Sequence, residues 1–196
     1  MKKIVATLLV LTLALGICCA FAEDTALPVY AWTGDDPVIA AVVRYMQETD
    51  FGYETPEGGV LIPTPIILKT DISDDQAEAT VYGNFWIFTY ALKGKILETG
   101  PAGENAGIMK LEKKDGEWTV TSAEFAGDGD AYQADIAKFT NGDKDLEEQY
   151  ALTTGAAEDS ILPQYQRAAV VEYVQANGLD IEAYQDPGWD PVSVID

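Results

Sequence analysis

The sequence predicts an α+β fold, with an N-terminal helix, a run of antiparallel strands and then C-terminal helices. Three observations carry this reading. Asp35-Asp36-Pro37 is a strong helix start, because the Asp36 carboxylate can accept from the free N–H groups of a first turn and proline suits the first helical position. Glu78 to Tyr90 (E-A-T-V-Y-G-N-F-W-I-F-T-Y) is the strongest strand signal, and Asp115-Gly116 further on supplies a two-residue hairpin turn whose positions need positive φ. After Gly127-Asp128-Gly129 the apolar residues recur at helical spacing.

Taken in order, the first helix is expected to run from Asp36 to about Thr49, with Val38, Val42, Tyr45 and Met46 on one side. Phe51 to Gly59, rich in Gly, Pro and acid, reads as a loop. Val60 to Thr70 reads as a strand. Pro63 and Pro65 cannot donate ladder hydrogen bonds, so its first half is expected to be irregular or at a sheet edge. Asp71 to Asp75 is a turn. In the strand that follows, one face carries Ala79, Val81, Phe85 and Ile87 and the other Tyr82, Trp86, Phe88 and Tyr90. Both faces are apolar, which predicts a central strand covered on both sides, and Gly83 marks a bulge or bend. Lys93-Gly94 is a turn before a short strand from Lys95 to Glu98, a loop from Gly100 to Asn105, and the hairpin strands Ala106–Lys113 and Glu117–Phe125.

Among the later elements, Asp130 is expected to cap a helix reaching Phe139, with Tyr132, Ile136 and Phe139 inward. A shorter helix spans Asp143 to Leu152. Ser160 to Asn177 reads as a helix whose single polar side is marked by Gln164, Arg167, Glu172 and Gln175, so that most of it is buried, and Asn177-Gly178 stops it. The turn-rich tail Asp186 to Pro191 is expected to pin Trp189 onto the body. No linker or repeat interrupts the chain, which predicts one domain over residues 23–196.

The first residues read as a targeting segment. Met1, Lys2 and Lys3 precede the uncharged stretch Ile4 to Ile17, and Ala20-Phe21-Ala22 places small residues where a signal peptidase reads, so residues 1–22 are expected to be a signal peptide cleaved between Ala22 and Glu23. Two alternatives stand beside it. A membrane anchor would need about 20 apolar residues. Lipidation at Cys18 or Cys19 would want a small residue before the cysteine, where Cys18 follows Ile17 and Cys19 follows Cys18. The expected location is therefore the cell envelope or outside the cell, with no membrane span in the mature chain. The mature chain has no cysteine, and no N-x-S/T acceptor occurs, which fits bacterial export.

Composition excludes several chemistries. The chain has no His, so a His general base, a Ser–His dyad and an imidazole metal site are all ruled out. The formal net charge of −21 and the pI near 4.1 argue against nucleic acid. Gly127-Asp128-Gly129 is too short and too acidic to cradle phosphate. No cofactor is predicted.

Three segments, V-Y-G-N-F-W-I-F (Val81–Phe88), G-I-M-K-L-E-K (Gly107–Lys113) and K-D-G-E-W-T-V (Lys114–Val120), set in the order helix then hairpin-joined strands, resemble the nuclear transport factor 2-like superfamily. That superfamily, with its cystatin-like α+β cone fold, includes ketosteroid isomerases, polyketide cyclases and many exported proteins without known activity. The resemblance covers about Asp35 to Phe125, and the helical extension after Asp130 departs from it. It implies a strongly bent sheet wrapped on the first helix, a cone-shaped pocket, and pairing through the sheet as a homodimer. The face Tyr82, Trp86, Phe88 and Tyr90 would then line a pocket for a lipid-like, sugar or peptide ligand, or else pack as core.

The leading functional expectation is an exported, non-enzymatic binding or interaction domain with an unknown small ligand or protein partner. One alternative is a His-free enzyme using a pocket carboxylate with a tyrosine, for which Asp71, Glu112 and Glu124 with Tyr82 and Tyr90 are the candidates. The other is a calcium-stabilised module built on Asp71–Asp75, Asp128–Asp130 or Asn141–Asp145. The last loop starts like an EF-hand but puts Leu146 where glycine is needed and Leu152 where the bidentate Glu is needed.

Overall fold

A computed structural model describes residues 26–195; the predicted leader, with Cys18 and Cys19, lies outside them. The helix start reads as expected. Asp36 Oδ1 accepts from the N–H of Val38 at 2.8 Å and of Ile39 at 3.1 Å, and α1 (Pro37–Glu48) follows. The strands are β1 (Val60–Ile72), β2 (Glu78–Lys93), β3 (Ile96–Gly103), β4 (Ala106–Lys114), β5 (Glu117–Phe125), β6 (Ala183–Gln185) and β7 (Val192–Ser193). The later helices are α2 (Asp130–Phe139), α3 (Lys144–Leu152) and α4 (Leu162–Ala176). The fold is α+β, built on one unclosed, mostly antiparallel sheet. No helix among the described residues is long and apolar enough to cross a membrane.

β2 is the spine of the sheet. Along one side it pairs with the whole of β1; along the other it pairs with β4 over Glu78–Asn84 and with β3 over Ile87–Lys93. β3 and β4 are thus two halves of one return strand, broken at Glu104-Asn105. Beyond β4 lies β5, and beyond β3 lie β6, which runs parallel to it, and β7. Asp115 and Gly116 turn the β4–β5 hairpin with φ of 54° and 89°.

Helices cover both faces of β2, as its two apolar faces require. On one, Val38, Val42 and Met46 of α1 pack with Val81, Phe85, Ile87, Met109, Leu111 and Trp118. On the other, Val170, Tyr173 and Val174 of α4 pack with Ile62, Ile66, Phe88, Tyr90 and Leu97, while Ile136, Phe139, Leu146 and Tyr150 of α2 and α3 cluster with Ala106. Tyr150 is fully buried and its hydroxyl donates to Gly107 O at 2.6 Å. Tyr150→Phe is expected to lower the unfolding free energy by about 1 kcal/mol, measured by urea denaturation, because it removes a buried hydroxyl–carbonyl hydrogen bond.

Several local expectations are corrected. Gly100–Gly103 is strand, not loop, because it completes the pairing of β3 with β2. The bulge expected at Gly83 lies on its partner: the register slips between Ile67 and Lys69, opposite Gly83, where a Cβ would come within 2.5 Å of Ile66 O. Asp130 is the first residue of α2 and does not cap it. Asp143 does cap α3, accepting from Leu146 N at 3.3 Å. α4 buries only Leu162, Gln166, Val170, Tyr173 and Val174, because it lies on the molecular surface with one face to the sheet. Trp189 is 75% exposed, and the tail is held instead by the pairing of β6 and β7 and by buried Ile181, Tyr184 and Val194.

Candidate functional site

Among the described residues β1 has β2 as its only strand neighbour, so its other side is a sheet edge. Pro63 and Pro65, with no N–H, blunt that edge against another strand. The start of α1 and one side of α4 overhang it and enclose a groove of about 450 Å³. Its floor is Pro63, Thr64, Pro65 and Ile67; its walls are Tyr30, Trp32 and Ile39 on one side and Tyr165, Ala168, Ala169 and Glu172 on the other. The lining is mostly apolar and aromatic, with few polar groups, which is the usual make-up of a small-molecule site.

The segment that carries Tyr30 and Trp32 is firmly anchored. Leu27 N donates to Gly58 O at 2.8 Å, Gln47 Nε2 donates to Tyr30 O at 2.8 Å, and the Tyr173 hydroxyl donates to Pro28 O at 2.8 Å. The Tyr30 and Tyr173 rings stack with centroids 6.4 Å apart. Trp32 folds back over Gly34, where a Cβ would fall 2.4 Å from its ring, so only glycine leaves the indole this place. The Thr33 hydroxyl donates to Glu172 Oε1 across to α4. Burial, and secondly the charge of Glu172, push the Tyr30 phenol well above its usual range, so it stays neutral at any ordinary pH.

Two polar atoms of residues in this lining stand without partners. Trp32 Nε1 and Thr64 Oγ1 are both buried and neither makes a hydrogen bond within the protein; Thr64 as a whole is 3% exposed. Buried polar groups are nearly always satisfied, so two orphans in one groove mark it out. The sequence held a signal that the strand reading passed over: in V-L-I-P-T-P-I-I (Val60–Ile67) Thr64 is the lone hydroxyl, set between prolines.

The four aromatic candidates lie elsewhere. Trp86, Phe88 and Tyr90 form a stacked ladder, with centroids 5.6 Å and then 6.3 Å apart, on the face of β2 beneath the C-terminal helices. Phe88 and Tyr90 are buried in the core, Trp86 Nε1 donates to Thr153 O at 2.9 Å, and Gln166 Nε2 donates to the Tyr90 hydroxyl at 3.3 Å. Tyr82 stands apart, half-buried, with Lys69 Nζ 5.3 Å from its ring centre. These four residues do not converge on one cavity. The acids singled out as general bases are surface groups in ion pairs: Asp71 with Lys69, Glu112 with Lys114, and Glu124 with Lys138. Asp75 Oδ1 accepts from the Ser73 hydroxyl and Ala77 N–H and Asp143 caps α3, and no group of three acidic side chains among the described residues converges to hold a metal ion.

Comparison with protein-family models, with curated proteins and with solved structures finds no match to the chain.

Proposed function

We propose that this chain is an exported, non-enzymatic binding protein of the nuclear transport factor 2-like kind, and that its ligand occupies the groove at the edge of β1. One observation carries the reading. Thr64 Oγ1 and Trp32 Nε1 are buried and unpartnered, and both residues line the same aromatic-walled groove of about 450 Å³. An orphaned buried hydroxyl costs about 1–3 kcal/mol of stability, a cost that a ligand's hydrogen bond offsets. The leader-like first residues and the acidic composition support an exported, soluble role.

The test needs no ligand. Thr64→Val replaces the hydroxyl with a methyl of nearly the same size. It is expected to raise the unfolding free energy by about 1 kcal/mol, read as a higher urea midpoint with an unchanged slope, as when a binding group is traded for stability. A loss of 1 kcal/mol or more would show that the hydroxyl serves the fold, and the groove would lose its main support as a binding site.

A further inference from the structure

The polar groups of the groove also restrict what it accepts. We infer that it takes a small organic cation that carries an oxygen acceptor, the chemistry of a hydroxylated ammonium compound; this rests on the groove being the binding site.

Charge sets the first requirement. Asp36 and Glu172 line the groove, and no Lys or Arg does among the described residues. Asp36 is already matched by the free N–H groups at the start of α1. Glu172 receives the neutral hydroxyl of Thr33, and its negative charge meets no cation inside the groove. Arg167 borders the adjoining opening and directs its Nε to Ser193 O at 3.0 Å. The walls answer the same need. Tyr30, Trp32 and Tyr165 line the same groove as this carboxylate, and ring faces attract organic cations that are weakly hydrated. An overall charge of −21 draws cations toward the molecule and repels anions.

Hydrogen bonding sets the second requirement. The Trp32 indole N–H can only donate, so it needs an acceptor from the ligand. A bare tetraalkylammonium has none, whereas a hydroxyl or amide oxygen supplies one, and Thr64 Oγ1 can take part as donor or acceptor. The volume suits a small molecule, and the two prolines on the β1 edge deny a peptide the backbone bonds of strand addition.

The test follows the indole N–H signals of the isotope-labelled chain by NMR, with the Trp32 signal assigned by its loss in Trp32→Phe. Choline is the probe. Tetramethylammonium keeps its charge without the hydroxyl, and dimethylbutanol, its carbon isostere, keeps the hydroxyl without the charge. Choline is expected to shift the Trp32 signal to saturation, and each of the other two to bind at least about tenfold more weakly. Glu172→Gln is expected to weaken choline about tenfold and leave dimethylbutanol unchanged. Should that variant fail to fold, rising ionic strength on the parent chain reads the same charge, weakening choline alone.

Equal binding of dimethylbutanol and choline would overturn the inference. So would a Trp32 shift with neutral N-acetylglucosamine or anionic succinate but none with choline; the groove would then stand as a binding site for another class. If none of these probes moved the Trp32 signal of the folded chain, and Thr64→Val also proved destabilising, the binding reading itself would fall.

Discussion

Asn84→Leu lowers the unfolding free energy by about 3–5 kcal/mol, the largest effect expected of a single polar substitution in this molecule. Asn84 is fully buried at the point where the strand opposite β2 breaks. Its Nδ2 donates to Thr153 Oγ1 at 3.1 Å, to Thr153 O at 3.3 Å and to Glu104 Oε2 at 3.1 Å, while its Oδ1 accepts from Asn105 N at 3.2 Å. One amide thus joins β2, the Glu104-Asn105 break and the end of α3. Leucine has a similar volume but leaves the buried Thr153 Oγ1 without its donor and the half-buried Asn105 N–H without its acceptor, each at about 1–3 kcal/mol, while Thr153 O keeps the bond from Trp86 Nε1. Urea denaturation of the two chains checks it. A change below 1 kcal/mol would mean that the break is held by its strand pairing alone.

The second large effect is alkaline unfolding. Burial raises the phenols of Tyr30, Tyr90, Tyr132, Tyr150 and Tyr173 above the usual 10, with Tyr132 and Tyr173 pushed up to about 12. The unfolded chain ionises near pH 10 while the folded chain holds its protons, so in that window the unfolded state binds fewer protons and stability falls as pH rises. The contribution is fully present below pH 10 and is lost as pH climbs through 12. Tyr173 alone, pushed up to about 12 against 10 in the unfolded chain, accounts for about 2 kcal/mol at pH 12. With several tyrosines acting together on a chain already at −21, the native fold is expected to give way between pH 10 and 12. A pH titration recording phenolate absorbance and circular dichroism together checks this. Phenolate appearing smoothly without loss of ellipticity would overturn it, since the tyrosines would then be ionising in the folded state.

Local chemistry made much of the architecture readable in advance. A cap acts within three residues, so Asp36 and its neighbour Pro37 announced α1 and Asp143 announced α3. A two-residue turn needs only its own φ values, so Asp115-Gly116 marked the β4–β5 hairpin. The two apolar faces of Glu78–Tyr90 stated that β2 must be covered on both sides, and helices cover it. The prolines of β1 pointed to an edge, and β1 is one.

Other features depend on partners distant in the chain. Gly100–Gly103 becomes strand because β2 lies beside it, and β6 forms because it finds β3 more than 80 residues earlier. The Trp86–Phe88–Tyr90 ladder is an aromatic stripe whether it faces a ligand or a helix, and only the position of α4 makes Phe88 and Tyr90 core. The groove draws on Trp32 ahead of α1, Thr64 in β1 and Glu172 in α4. Composition and periodicity speak of each residue's own neighbourhood. Whether a hydroxyl or an indole N–H ends up buried without a partner is decided when separate segments pack together, and that is why the site emerged from the tertiary structure while the fold class was already written in the chain.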